Sequence, residues 1–497
     1  MIQQRIHLFR HVLRNISTQV LRTKRPVFSK INGLSSIESH KIVPQSGIEP
    51  IFSELSNGMR VITLENNKKI ASLGIIIKMG SRFESKSSLG SSRVLFNMIL
   101  SQEGKNSHSC LVNKLALNGL ILEGGFNREY TSFVLEYLKD QGTENTQEFF
   151  DGIFKFYKKK FNGEELEFVK KNIKEEESFE LENHSVMLND LLHSTAWKEN
   201  SLGNKQAISF DQVSGLNTQN LTEFRNANFL PCNTIIVGTG IRHDQLIKKI
   251  MNSSEKFFIP EQNSVNHLKD NEYNMKTPKY VGGLVKNKLP HYGFTDIMVA
   301  FETNLNWKGH ELVALSVLQA YLGGGSSFSV GGPGKGMYSK LFLDVLNKFD
   351  WVESCNCFVN QYSDTGLFGI HITSYPGYSL ESIKIIAKQL SEMKNVGQRE
   401  LERAKNLVLS TIYSAYENRC HYMEEISKQI LSYSEFIELD EIINCIKSID
   451  IKDIKKVADS ILSNAERPTV IAVGTDVNQV PNYNDIVSII SRQIGNH

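Results

Sequence analysis

The chain reads as an α/β (α+β) protein made of two homologous α/β sandwich domains with largely antiparallel sheets, and three observations carry that reading. Its 497 residues exceed what one hydrophobic core ordinarily organises, so two or more domains are expected. The chain also repeats itself: Val237-Gly238-Thr239 returns as Val473-Gly474-Thr475, Glu165-Leu166-Glu167 as Glu400-Leu401-Glu402, and Glu182-Asn183 as Glu417-Asn418. The offsets are 236, 235 and 235, in the same order along the chain. Finally, strand-like and helix-like stretches alternate, but with hairpins between strands, which favours antiparallel pairing over a crossover-built parallel sheet.

The first thirty residues stand apart. No acidic residue precedes Glu38, whereas Arg5, Arg10, Arg14, Arg22, Lys24, Arg25 and Lys30 are basic. Ile2, Ile6, Phe9, Leu13, Ile16 and Val20 fall on one helical stripe. A basic, acid-free amphipathic start has the composition of a mitochondrial transit peptide, expected over residues 1–35 with a cut between Arg22 and Ser39. A membrane-surface or partner-binding helix shares that physics. Removing residues 1–30, with their seven basic side chains, takes the formal charge from +2 to −5. A mildly acidic body suits a basic partner better than a nucleic acid.

In the first half, expected over 48–262, a β run from Ala71 to Met79 precedes a helix at about Leu89 to Leu100. A strand pair follows, then a Glu/Lys-rich helix at about Gly163 to Asn183, and the closing strand at Thr234 to Thr239. The polar stretch Glu261 to Pro290 places a linker at 263–290. The second half, expected over 291–490, runs in parallel: a β run from Thr295 to Phe301, a helix from His310 to Tyr321, and a hairpin of Glu353 to Gln361 and Leu367 to Thr373 about Asp364-Thr365-Gly366. The long helix at Gly397 to Asn418 and the strand at Thr469 complete it.

Hydrophobic content of 40% and charged content of 22% describe an ordinary globular chain. No apolar run approaches the roughly eighteen residues of a membrane helix. The six cysteines include no C-x-x-C, and Cys355-x-Cys357 sets two thiols on one strand face, a pattern of buried cysteines rather than a metal site.

Within the second half lies a run that demands an explanation: Gly323, Gly324, Gly325, Ser326, Ser327, Phe328, Ser329, Val330, Gly331, Gly332, Pro333, Gly334, Lys335, Gly336. Half of these fourteen residues lack a Cβ, which makes a surface loop with open backbone groups able to lie along an extended peptide or wrap an anion. A phosphate loop is excluded, because Ser329 stands where its first glycine belongs and Gly336 where Ser or Thr must hold magnesium. The dinucleotide pattern fails too, since Gly323 and Gly325 are followed by Phe328. The apolar Phe328, Val330 and Met337 argue against a bare linker.

These motifs together resemble a known family. Gly80-Ser-Arg-Phe-Glu84, Leu192-His193 with Asn200-Ser-Leu-Gly203, Phe229-Leu-Pro-Cys-Asn233, Leu318 to Met337 and Asp364-Thr-Gly-Leu-Phe-Gly369 resemble the alpha subunits of mitochondrial processing peptidases. These subunits form a branch of the pitrilysin-like peptidases with an inverted zinc motif, whose fold is metallohydrolase-like. The likeness covers roughly residues 48–490, with Ser326 and Val330 standing where Gly and Ala are expected. Active members carry H-x-x-E-H on the helix after the GSRxE element, two His at i and i+4 for zinc and a Glu as general base. The aligned stretch here is Arg93-Val94-Leu95-Phe96-Asn97, so both ligands and the base are missing. Elsewhere His7 and His11 are the only i, i+4 pair, His310-Glu311 ends at Ala314, and His421-x-x-Glu424 ends at Glu425. Glu175, Glu176 and Glu177 fall near the third ligand's place, and one carboxylate cluster makes a poor zinc site.

The resemblance thus implies no catalytic residue, metal or cofactor in this chain, and zinc in a homologous beta subunit that forms a heterodimer with it. It implies a mitochondrial matrix location and a role in recognising basic, amphipathic presequences through the loop at 323–336, while association with the inner membrane stays open. A structural core subunit of ubiquinol-cytochrome c reductase, which shares the fold, is the alternative. Restoring the motif with Arg93→His, Phe96→Glu and Asn97→His is expected to bring little cleavage, because supporting groups are missing as well.

Overall fold

The structure, a computed structural model, describes residues 29–31, 50–66, 68–101, 111–139, 145–182, 184–198, 201–207, 209–257, 278–303, 309–326, 337–433 and 435–495. The expected amphipathic helix over residues 2–20, the expected cut region apart from 29–31, most of the linker, and loop residues 327–336 lie outside the described residues.

Two sheets organise the chain. The first contains β1 (Ser29–Ile31), β2 (Pro50–Leu55), β3 (Arg60–Leu64), β4 (Ile70–Ile77), β5 (Ile121–Phe126), β6 (Thr131–Leu138) and β7 (Thr234–Thr239), in the order β1-β2-β3-β7-β4-β6-β5. The second contains β8 (Gly283–Lys288), β9 (Thr295–Glu302), β10 (Gly324–Ser326), β11 (Val352–Gln361), β12 (Gly366–Ser374) and β13 (Thr469–Gly474), in the order β10-β11-β12-β9-β13-β8. Both sheets are mostly antiparallel. The parallel pairs are β3 with β7 and β8 with β13, at matching places in the two halves, together with the short β1 on β2.

The helices of the first half are α1 (Ser91–Ser101), α2 (Leu111–Leu117), α3 (Asn145–Phe154), α4 (Gly163–Glu182), α5 (His184–Trp197), α6 (Phe210–Ser214), α7 (Thr218–Asn228) and α8 (His243–Phe257). Those of the second are α9 (His310–Leu322), α10 (Ser379–Glu392), α11 (Gln398–Tyr416), α12 (Arg419–Tyr433), α13 (Leu439–Ser448), α14 (Ile451–Leu462) and α15 (Tyr483–Gly495). The repeat is structural: shifted by about 235, α4 maps onto α11, α5 onto α12 and β7 onto β13.

Strand periodicity of two sends alternate residues to opposite faces, and both faces are covered. In β4, Leu73, Ile75 and Ile77 face the helices of their own half together with Phe133, Leu135 and Ile236. Ile76, with Ile62, Ile235 and Val237, faces α12 of the other half through Met423, Ile426 and Ile430. The exchange is reciprocal: Leu188, Leu192, Ala196 and Trp197 of α5 cover Met298, Ala300, Ile471 and Val473 on the second sheet. That burial on both sides is why β4 reads as a nearly continuous apolar run. At about 1.5–3 kcal/mol for each fully buried aliphatic side chain, the three α12 residues alone tie the halves firmly.

Two stretches depart from the sequence expectation. Gly283–Lys288, placed at the end of a linker, forms edge strand β8 on β13; one edge and much of its surface meet water, so its polar sequence is tolerated. Gly324–Ser326, placed in the loop, pairs with Asn356 to Ser354 of β11. No helix among the described residues is long and apolar enough to cross a membrane.

Candidate functional site

The helix that would carry a zinc motif is α1, and the GSRxE element fixes its start. Glu84 is buried and accepts hydrogen bonds from the Gly90 amide at 2.8 Å, the Ser92 amide at 2.9 Å and the Ser92 hydroxyl. It therefore satisfies amides at the helix N-terminus that have no partner within the helix. Burial pushes its carboxyl up to about 7, against the pull of the Ser92 and Gly90 bonds. Asn204 clamps the same turn by donating to the Ser81 and Glu84 carbonyls.

Arg93 and Asn97, one turn apart, lie half-buried on the same face of α1. Both reach a single atom across to α4: Arg93 Nη2 is 3.2 Å and Asn97 Nδ2 3.4 Å from Glu176 Oε2. Phe96, at the general-base position, is buried against Phe133 at 5.7 Å and Phe126 at 6.1 Å. Its ring also lies over Gly124, where a Cβ would come within 2.7 Å of it. The donor set does not fit zinc: of the three positions on α1, one is a cation, one a neutral amide and one a hydrocarbon ring. Of the three glutamates, Glu176 receives both α1 side chains, while Glu177 accepts the Phe210 amide at 3.0 Å.

Two other motifs, 282 residues apart, meet at the seam between the halves. Arg82 is buried and donates to Glu129 at 2.7 Å, to the Ser363 hydroxyl at 3.2 Å and to Asp364. Glu129 in turn accepts from the Ser363 amide at 3.1 Å and hydroxyl at 2.6 Å. Beside it, Tyr362 bonds His193 at 2.6 Å, and the other His193 nitrogen meets the Asn189 carbonyl. The 201–203 segment is held by the buried Arg128, which pairs with Asp190 and reaches the Leu202 carbonyl and Gln206.

At the base of the glycine-rich loop, α9 ends on Gly323 at φ 61°, followed by Gly324 at φ 127°. A side chain at either position would collide, with Ser339 for Gly323 and with the Cys355 carbonyl oxygen for Gly324. The Ser339 hydroxyl accepts from the Gly324 amide at 3.1 Å, and the Cys357 amide donates to the Gly323 carbonyl at 2.9 Å, so the start of the loop is pinned to β11 and to Ser339, which follows the loop in the chain. Cys355 and Cys357 are both buried in the core, where burial pushes their thiols up.

Of the residues singled out in the sequence, the structure brings Arg93, Phe96 and Asn97 together on α1, and joins GSRxE to the Asp364 turn. The described part of the loop, Gly323 to Ser326, sits on the edge of the second sheet; its remaining members lie outside the described residues. Arg128, Glu129 and Asp190 were missed, although a polar Asn127-Arg128-Glu129 triplet between two strands is itself a signal.

Comparison with known proteins agrees with this arrangement. Two family models match in tandem, Insulinase (Peptidase family M16) over residues 60–208 and Peptidase M16 inactive domain over residues 215–408. The probable mitochondrial-processing peptidase subunit alpha-1 of Arabidopsis thaliana is 30% identical over 447 residues, covering 88% of this chain and 84% of that protein. The mitochondrial-processing peptidase subunit alpha of Homo sapiens is 26% identical over 498 residues, covering 97% and 90%. A chain of the solved structure of complex III2 from Candida albicans, Inz-5 bound, superposes with a TM-score of 0.72 at 20% identity, covering 88% of this chain and 99% of that one, a likeness of fold. The chain belongs to the M16 peptidase family, among the mitochondrial-processing peptidase alpha subunits.

Proposed function

We propose that this chain is the non-catalytic, substrate-recognising subunit of a mitochondrial processing peptidase, working in the matrix beside a homologous beta subunit that holds zinc and the general base. The observation that carries the reading is α1: it keeps its capping carboxylate and its contact with α4, but presents Arg93, Phe96 and Asn97 where chemistry would need two ligands and a base. Nothing on that helix can activate water. What this chain supplies instead is a framework and a loop with open backbone groups at 323–336, which receives a basic presequence as an extended segment. The acidic balance left once residues 1–30 are gone favours such a ligand. The halves at 48–262 and 291–490 act as one support for that loop.

The test is cleavage of a presequence peptide by the purified chain, alone and mixed with a homologous subunit carrying an intact H-x-x-E-H. Silence alone and activity in the mixture support the proposal. Activity alone refutes it, and silence in both moves the assignment to a structural core subunit of the respiratory complex. Deleting Gly323 to Gly336 is expected to abolish processing and leave the heterodimer intact; unchanged turnover removes the loop's role.

A further inference from the structure

We infer that Arg93 is a tethered replacement for a metal cation: its guanidinium, together with the Asn97 amide, closes α1 onto Glu176 of α4 and keeps divalent metal out of this subunit. The inference rests on convergence. Side chains at i and i+4 of one helix project side by side, the spacing that lets two ligands share a metal. Here both donate to the same oxygen, Glu176 Oε2, at 3.2 Å and 3.4 Å. The carboxylate of an α4 ligand position is therefore still aimed at the place between positions 93 and 97, and a fixed positive charge has taken the place of an exchangeable one.

The surroundings support the exchange. Arg93 lies over the Phe96 ring at 6.0 Å, within reach of a cation–π contact that a hydrated metal dication would not gain. Phe96, packed on Phe126 and Phe133, removes the carboxylate that would polarise metal-bound water. In a heterodimer whose activity needs one metal, a subunit that cannot take up zinc leaves the ion to its partner. This consequence depends on the function proposed above, whereas the charge replacement itself does not.

The test reads metal binding rather than cleavage, so it stands even if that function is wrong. Zinc is titrated into the full chain while the thermal midpoint is followed, for wild type, for Arg93→His with Asn97→His, and for that double variant with Glu176→Gln added. Wild type is expected to show no zinc-dependent shift. The double variant, offering two imidazoles and the waiting carboxylate, should rise by about 3 °C at a hundredfold excess over its Kd, reversed by a chelator. The Glu176→Gln addition should remove most of that rise. Should the double variant fail to fold, the single variants Arg93→His and Asn97→His give the same reading with fewer ligands, each expected to show a smaller rise. No rise in the double variant or, should it fail to fold, in either single variant, or a rise in wild type as large as the double variant's, overturns the inference.

Discussion

Arg82 offers the sharpest test of how the halves are held. Its side chain is 1% exposed and serves Glu129 of the first half and Asp364 of the second, which are 16% and 25% exposed. Truncation to Ala removes three donated hydrogen bonds and leaves two carboxylates facing each other's charge. Breaking a fully buried pair costs about 3–5 kcal/mol, and because both acids still touch water the lower end, about 3 kcal/mol, is expected here. Asp364→Asn keeps the turn's shape and loses one charge-assisted bond, about 1.5 kcal/mol. If the guanidinium acts through Asp364, the double variant should be milder than additive by about 1–2 kcal/mol. Urea unfolding of the four proteins gives the cycle directly. Additivity to within about 0.5 kcal/mol would refute the argument, since it would mean that the two motifs touch without sharing energy.

Three further outcomes follow from the same geometry. Glu84, held near 7 against an ordinary 4.5, favours the folded state most when protonated, so its contribution is full below about 4.5 and lost as pH rises through 7. The stability of wild type minus Glu84→Gln should therefore fall by about 3 kcal/mol across that window, measured by denaturation at several pH values; a flat difference contradicts it. Phe96→Glu places a carboxylate among Phe126, Phe133 and Gly124 and should cost about 3 kcal/mol or more in a melting experiment, a second reason to expect little from restoring the motif. Gly324→Ala, at φ 127° against the Cys355 carbonyl, should release β10 at a cost of about 1–2 kcal/mol. Faster hydrogen exchange at the Cys357 amide with little change in global melting would register it.

Much of the fold was readable because it depends on local patterns. The repeat offset placed α11 and β13 from α4 and β7, and the Asp364-Thr365-Gly366 turn marked the β11–β12 hairpin. The missing elements are those whose sequence says little about their neighbours. The edge strand β8, GLVKNK, looks like linker because an edge strand need not be apolar. The path of α5 is hidden for the opposite reason. HSVMLNDLLHSTAW shows apolar residues but gives no sign that they cover β9 and β13 of the other half rather than their own sheet. At the site, three adjacent glutamates are equivalent in the sequence, and geometry distinguishes Glu176, whose Oε2 receives both Arg93 and Asn97.

The reciprocal placement of α5 and α12 bears on how so glycine-rich a loop can work. Each sheet has one face closed by the other half's helix, so an angular opening between the halves would strip Leu192 and Trp197 from the second sheet and Met423 and Ile426 from the first at once. At about 1.5–3 kcal/mol for each such side chain, that motion costs more than a weak ligand returns. The Arg82 contact to Asp364 opposes it further. Adjustment to a bound segment is then left to short elements at the edge of the frame, and β10 is such an element, three residues long, paired with β11 and bonded to Ser339. Under the proposed function, a rigid frame with a pinned, glycine-built loop base would separate the two requirements of recognition, holding a partner in register while accepting many sequences.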